Sequence, residues 1–300
     1  MKGKRIAVVG AGSIGLYYGA KLAAQGYDVR FLMRSGFRLA PESGIRILSA
    51  GGEFHLADPN IAADPREIGP CDGVIVAVKA TSNESLPGLI APLLGVETWI
   101  LTMQNGLGNE EFLAGQFGAA RIMGGLCFVC LTRSSPVVVN HFGHGTLSVG
   151  EFCALPRERT RSLVQAFRSA GIETALVDDL AGERWRKLLW NIPFNGLCTV
   201  ENVPVDRVLD DPALHSRCRA LMDEVRSIAA SEGHDIPPSY ADFQIERTRQ
   251  MGAYLPSTLV DARAGNLLEI EPIWGEPLRR AQALCIHAPN LAELYRRLKP

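Results

Sequence analysis

The sequence predicts an α/β protein, a doubly wound sheet domain over residues 1–178 followed by an all-helical domain over 179–300. Three observations predict it. Arg5–Gly10 (RIAVVG), Gly73–Val78 (GVIVAV) and Thr98–Thr102 (TWILT) are short, continuous apolar runs, the texture of strands buried on both faces of a parallel sheet. Helical patterns separate these runs, and strand–helix alternation argues for a parallel sheet. Beyond Asp178 no strand is convincing and helical patterns dominate.

Along the chain, Ile14–Gln25 reads as a helix ended by Gly26, and Val29–Met33 as the second strand. Gly44–Leu48 and Glu53–Leu56 flank Gly51-Gly52, a hairpin signal. A helix over Asn83–Leu93 joins GVIVAV to TWILT. Ile122–Leu131, Val137–His141 and Leu147–Val149 have strand composition, with a turn at Gly143 and Gly145. Arg157–Ala170 is a helix stopped by Gly171, and Ile172–Val177 is the last strand. The helical domain comprises Leu180–Leu197, Pro212–Glu232, Tyr240–Tyr254, Leu278–Ala288 and Leu291–Leu298.

Composition narrows the function classes. With 47% hydrophobic and 21% charged residues, the chain can bury a substantial core and is not disordered. Lysine plus arginine (31) balances aspartate plus glutamate (32), so there is no basic footprint for a nucleic-acid backbone. Seven scattered cysteines fit free thiols in a reducing compartment. The apolar run after Lys2–Arg5 is too short and too broken by glycine for a signal peptide. No stretch reaches the ~18 apolar residues of a membrane span. The expectation is a soluble, cytoplasmic protein with neither a nucleic-acid nor a membrane partner.

Gly10-Ala11-Gly12-Ser13-Ile14-Gly15 is a G-x-G-x-x-G pattern between a buried strand and a helix, the context that gives it meaning. Gly10 permits the tight turn, Gly12 leaves room for a pyrophosphate, and Gly15 allows close helix–strand packing. The helix N-terminus presents free N–H groups to the phosphates. This makes the first domain Rossmann-like and dinucleotide-binding. An NAD site places an acid at the end of the second strand. Here that strand runs into Arg34-Ser35, and a guanidinium pairs with a 2′-phosphate, so the expected cofactor is NADP.

Other patterns carry less. Tyr17-x-x-x-Lys21 lies inside the helix opened by the glycine turn and reads as coincidence. Cys127-x-x-Cys130 falls in a strand, where residues three apart face opposite ways, and no second pair completes a zinc site. His141-x-x-His144 spans the expected turn. In the helical domain, Lys187, Asn191 and Asn195 recur at i, i+4 and i+8 and form one polar stripe beside an apolar face. A lysine can protonate a carbonyl oxygen and amides can orient a carboxylate or hydroxyl. A solvated helix edge has the same spacing. Pro193 should kink the run. Ser257 reads as a helix cap or a substrate contact, and Asp261 as a partner of Arg263 or another surface group.

The order and spacing of GAGSIG, Arg34, Val78-Lys79-Ala80, Gln104-Asn105-Gly106, Trp185-Arg186-Lys187-Leu188-x-x-Asn191-x-x-x-Asn195 and Ser257-x-x-x-Asp261 followed by Glu269 resemble the ketopantoate reductase family. The resemblance runs through most of the chain. It implies NADPH-dependent reduction of a 2-oxo acid, ketopantoate, to its 2-hydroxy acid in pantothenate biosynthesis. Hydride then comes from a cofactor held by one domain and a proton from an ammonium on the other. By resemblance, Lys187 is the proton donor and Glu269 an acid near the nicotinamide ribose and substrate hydroxyl. Asn105 bridges cofactor and substrate. Asn191, Asn195 and Ser257 bind substrate. Arg34 and Lys79 line the cofactor cleft, and Cys130 falls near a backbone contact to the cofactor. The family also implies a homodimer through the helical domain. The alternatives are a reductase of another branched 2-oxo acid and a non-catalytic NADP-binding sensor; the latter needs no proton donor.

The chain departs from the family at three places. Glu271-Pro272-Ile273-Trp274-Gly275 has Trp274 where a small amide is usual. Val205 replaces an asparagine, and Tyr254 stands where the family can use a polar amide. Trp274 is either an apolar wall of the substrate pocket or a core residue packed between helices.

Overall fold

The computed structural model describes residues 3–33 and 43–299. The chain divides into two compact units, Met1–Gln104 with Asn109–Leu180, and Asn105–Gly108 with Ala181–Pro300.

The first unit is a Rossmann-like α/β unit whose strands are β1 (Arg5–Val9), β2 (Asp28–Leu32), β3 (Ile45–Ser49), β4 (Gly52–Leu56), β5 (Asn60–Ala62), β6 (Cys71–Val76), β7 (Leu94–Thr102), β8 (Ile122–Ser135), β9 (Val138–Glu151) and β10 (Thr174–Leu176). They form one sheet in the order β4-β3-β9-β8-β7-β6-β1-β2-β5, with β10 on β9. The block from β8 to β5 is parallel. The pairs β8–β9 and β3–β4 are antiparallel, so hairpins extend the parallel core into a mixed sheet.

Strand β1 shows why its residues sit at the centre. Ile6 and Val8 join one core cluster and Ala7 and Val9 the other, so alternate side chains fill opposite faces. Helix α1 (Ser13–Ala24) covers one face. A β-carbon at Gly19 would lie 2.6 Å from the Phe31 ring, which is how close the helix lies to β2.

Some expectations need correction. The glycines at 143 and 145 do not reverse the chain; β9 runs straight through them. Phe128 pairs with Thr146 and Val129 with His144, leaving Gly145 as an extra residue, and Phe142 is extra in the same way. Glycine in a strand marks a bulge as readily as a turn. The helix expected over 83–93 is a succession of short turns, Ala80–Ser85, Leu86–Ile90 and Ala91–Leu93. Pro87 and Pro92 each withhold an N–H from a longer helix. Strand β5, only three residues long, is too short to show a period.

The second unit is helical. Its elements, after α2 (Asn109–Phe117) and α3 (Glu158–Ser169) of the first unit, are α4 (Leu180–Trp190), α5 (Gly196–Glu201), α6 (Val205–Asp210), α7 (Pro212–Ser231), α8 (Pro238–Arg249), α9 (Ser257–Arg263), α10 (Glu276–Ala283) and α11 (Pro289–Leu298). Two π-helical turns, Asn191–Asn195 and Glu271–Gly275, lead into α5 and α10. Helix α7 starts where the Asp211 carboxylate accepts from the N–H groups of Ala213 and Leu214, with Pro212 at the first helical position. Its buried face, Cys218, Leu221, Met222, Val225, Ile228 and Ala229, keeps helical spacing. At about 1.5–3 kcal/mol for each fully buried large apolar side chain, packing outweighs helix propensity here.

Trp274 and Val205 both belong to this core and are 0% exposed. Trp274 is therefore no pocket wall. Tyr254 lies 6.5 Å from the Trp190 ring, and its carbonyl accepts from the Val205 N–H at 3.0 Å. Among the described residues no helix is long and apolar enough to cross a membrane.

Candidate active site

The first unit carries the glycine turn at the point where the strand order reverses. From β1 the chain goes to β2 on one side and, after the β3–β4 hairpin at the far edge and β5 beside β2, to β6 on the other side of β1. The crevice at the carboxyl ends of two such strands is where open α/β sheets take ligands. Gly10 ends β1 with φ +102°, and a β-carbon there would lie 2.5 Å from the Val78 nitrogen beyond β6. At Gly15 a β-carbon would lie 2.1 Å from the Gly10 carbonyl oxygen. At Gly12 it would meet nothing within 4 Å. The outer glycines are thus fixed by packing, whereas the middle one opens a space beside the first turn of α1. Ala11 is buried, and Gly12, Ser13 and Ile14 are partly exposed. This is the cradle that a pyrophosphate needs.

Lys79 immediately precedes the turn over Ala80–Ser85 and is partly buried. Arg133 was not singled out in the sequence. Reaching back from β8, it donates from its guanidinium to the Ala11 carbonyl at 3.1 Å and brings a positive charge to the glycine turn. No sequence pattern announces it, because 122 positions separate the two residues. Gln104 of the Gln104-Asn105-Gly106 motif belongs to a chain of amides whose other members, Asn83 and Asn109, no sequence pattern marked. Gln104 Nε2 donates to Asn83 Oδ1 at 2.7 Å, and Asn83 Nδ2 donates to Asn109 Oδ1 at 3.0 Å. Thr102 Oγ1 donates to Gln104 Oε1 at 2.9 Å, so the segment after β7 is held by a connected network. Cys130 stands on β8 opposite Gly143, partly exposed, while Cys127 on the same strand is buried. Arg34 lies outside the described residues.

The other patterns of the first unit find structural roles. Burial pushes the Tyr17 phenol up, away from the range of a useful base. The Lys21 ammonium rests 5.4 Å from the Tyr17 ring centre and 5.5 Å from that of Phe54, a cation–π arrangement. His141, within β9 rather than a turn, bonds through Nδ1 to Ser49 Oγ at 3.1 Å and through Nε2 to the His144 carbonyl at 2.7 Å.

The second unit brings together side chains far apart in the sequence. Lys187, partly buried in the last turn of α4, donates from Nζ to Asn105 Oδ1 at 2.8 Å. The Asn105 loop is tied down by its neighbours. The Leu107 N–H donates to the Pro272 carbonyl at 2.8 Å. Gly106, φ +86°, passes so close that a β-carbon would lie 2.3 Å from that carbonyl oxygen. Asn191 and Asn195 stand on the π-helical turn that continues α4, 7% and 2% exposed. The wider turn advances less per residue than an α-helical one and offsets part of the stripe's drift.

Asn195 Oδ1 accepts from the Thr258 N–H at 3.1 Å and from Ser257 Oγ at 3.4 Å, which docks the start of α9 on this turn. Ser257 itself is exposed, and Glu269 is half-buried in the segment leading to the second π-helical turn. Asp261 accepts from Asn266 Nδ2 at 3.1 Å, the surface-group alternative of the sequence reading, while Arg263 donates to Asn202 Oδ1 at 2.9 Å. An ammonium held by an amide oxygen, with buried amides along the same helical run, is equipped to deliver a proton and orient a polar ligand.

Residues 6–153 match the family described as "Ketopantoate reductase PanE/ApbA" and residues 179–300 match "Ketopantoate reductase PanE/ApbA C terminal". The 2-dehydropantoate 2-reductase of Nostoc sp. is 36% identical over 100% of this chain and 95% of its own. The one from Halobacterium salinarum is 30% identical over 97% of this chain and 98% of its own. The crystal structure of 2-dehydropantoate 2-reductase from Geobacter metallireducens GS-15 matches with a TM-score of 0.96 at 42% identity, covering 98% of each chain. The chain belongs to the ketopantoate reductase family.

Proposed function

We propose that the protein reduces 2-dehydropantoate (ketopantoate) to pantoate with NADPH, as in pantothenate biosynthesis. Residues 1–178 serve as the dinucleotide domain and 179–300 as the substrate domain. The observation that carries the reading is the Lys187–Asn105 pair, whose 2.8 Å bond gives the ammonium a fixed direction. A protein that only sensed the cofactor would need no oriented proton donor.

NADPH, when bound, supplies the hydride to the carbonyl carbon. The chain's residues do the rest. Gly10, Ala11, Gly12, Ser13, Ile14 and Gly15 form the pyrophosphate cradle, with the open space at Gly12 as the structural fit. Arg34 and Lys79 supply positive charge to the cofactor, and Cys130 contributes backbone. Lys187 gives its Nζ proton to the oxygen that becomes the alcohol, and Asn105 holds that Nζ in place while touching cofactor and substrate. Asn191, Asn195 and Ser257 orient the carboxylate and hydroxyl of the acid. Glu269 accepts from the nicotinamide ribose and the substrate hydroxyl. The reading includes a cytoplasmic, homodimeric enzyme; the free state of all seven cysteines supports the location.

The test follows oxidation of NADPH or NADH with ketopantoate and with its deoxy analogue, 3,3-dimethyl-2-oxobutanoate. The buried Trp274 leaves the pocket without the apolar wall weighed from the sequence. Ketopantoate should therefore win by about 10- to 100-fold in kcat/KM, the effect of leaving a site's polar group unpaired. NADPH should bind more tightly than NADH, by about 1.5–3 kcal/mol for one charge-assisted phosphate contact, and Arg34→Ala should abolish most of that difference. Equal efficiency for the two acids would refute the substrate, and equal affinity for the two cofactors would refute the role of Arg34.

A further inference from the structure

The helical run carrying the proposed substrate residues has a weak point. Helix α4 passes through the π-helical turn Asn191–Asn195 before α5 begins at Gly196. Pro193 sits inside that turn and brings no N–H to the helix ladder. A π-helical turn is an uncommon conformation that needs support from elsewhere. Both amides of the polar stripe stand on it.

Support comes from two indoles. Trp190 stacks on Phe194, with ring centres 5.2 Å apart and planes at 28°. Its Nε1 donates to Thr248 Oγ1 on α8 at 2.9 Å. Trp274 is completely buried and donates from Nε1 to the Ile192 carbonyl at 3.0 Å, inside the turn itself. Space for that bond is reserved by Gly196, where a β-carbon would lie 3.0 Å from Trp274 Nε1 and 2.5 Å from Leu294 Cδ2.

Trp274 belongs to the second π-helical turn, Glu271–Gly275, and this turn has another task. Its Pro272 carbonyl accepts the Leu107 N–H at 2.8 Å and packs against Gly106. One five-residue segment therefore holds the loop bearing Asn105 at one end and the turn bearing Asn191 and Asn195 at the other.

We infer that Trp274 is a positioning residue: through the Nε1–Ile192 bond it locks the Asn191–Asn195 turn in register with the Asn105 loop and so sets the geometry in which the 2-oxo acid is held. This rests on the proposed reductase reading for its kinetic part only. Trp274 touches none of the reacting atoms, so its removal should weaken acid binding more than it slows chemistry.

The experiment compares Trp274→Phe, which keeps a ring but loses the donor, with Ile236→Ala, which opens a cavity elsewhere in the same core. Amide hydrogen exchange and steady-state kinetics are measured on the full-length protein. In Trp274→Phe, exchange should rise about five- to tenfold over residues 191–198, the effect of one lost hydrogen bond. KM for ketopantoate should rise by a similar factor, with kcat within about twofold and NADPH affinity unchanged. Ile236→Ala should lower the melting temperature at least as much and leave both readouts at their wild-type values. Unchanged exchange over 191–198 overturns the inference, as does an unchanged KM in an active enzyme. A KM that rises equally in Ile236→Ala also overturns it, because the effect would then be general destabilisation. If the wild type proves inactive on ketopantoate, the function reading fails while the exchange result still decides whether Trp274 locks the turn.

Discussion

Two glycines of one turn are constrained by different things. At Gly15 an added β-carbon would collide with the Gly10 carbonyl at 2.1 Å, a backbone atom with nowhere to move. At Gly12 it would enter empty space. Gly15→Ala should therefore destabilise the first unit, and a thermal melt should show it. Gly12→Ala should melt like wild type yet bind NADPH at least about tenfold more weakly, because the methyl would enter the space of the proposed pyrophosphate site. Undiminished NADPH affinity in Gly12→Ala, read by fluorescence titration, would contradict the cradle. The tight packing at Gly15 and the open space at Gly12 were legible in the sequence because turn chemistry is local. Lys187, Asn191 and Asn195 were legible as a stripe because helical spacing is local too. The partner of Lys187 was not legible from spacing, since Asn105 lies 82 positions away, and the resemblance gave Asn105 only as a residue bridging cofactor and substrate. Trp274 remained ambiguous because a sequence does not show which way an indole faces.

At the scale of elements, helix ends are tied by side chains from distant helices. Helix α11 has no capping side chain of its own; Glu224 of α7, 9% exposed, supplies one. Its Oε1 accepts from the Asn290 N–H at 2.9 Å and from Asn290 Nδ2 at 2.7 Å, and its Oε2 accepts from the Leu291 N–H at 2.8 Å. Anionic acceptors at a helix start also face the positive end of the helix dipole. Glu224→Ala leaves the buried Leu291 N–H without its acceptor and returns the half-buried Asn290 donors to solvent, which costs about 2–3 kcal/mol. The melting temperature of the second unit should fall by about 4–12 °C. A melt within 1–2 °C of wild type, by calorimetry, would show water replacing the carboxylate at no cost. The extents of α1, α3, α7 and α11 were readable from period and stop signals, α7 almost to the residue, whereas the short helices α2 and α6 were not foreseen. The π-helical turns were not, because a one-residue widening leaves the hydrophobic pattern nearly unchanged. The bulges of β9 were read as a turn for the same reason: Gly143 and Gly145 serve either.

At the scale of the molecule, the proposed tasks divide between two units that can be tested separately. The open glycine turn belongs to the first, the lysine with its amides to the second. A change of texture near Asp178 was visible in the sequence, and the first compact unit runs to Leu180. The transfer of residues 105–108 to the second unit was not, because it depends on a carbonyl at Pro272 far along the chain. If the division of labour is right, removing the Lys187 ammonium should stop chemistry without loosening the cofactor. The most direct measurement is the single-turnover rate of ketopantoate reduction by Lys187→Ala at saturating NADPH, taken with an NADPH titration of the same variant. The account predicts NADPH affinity within about twofold of wild type and a rate lower by about 10²–10⁴, the usual contribution of general acid catalysis. A Lys187→Ala enzyme that turns over at the wild-type rate would contradict it.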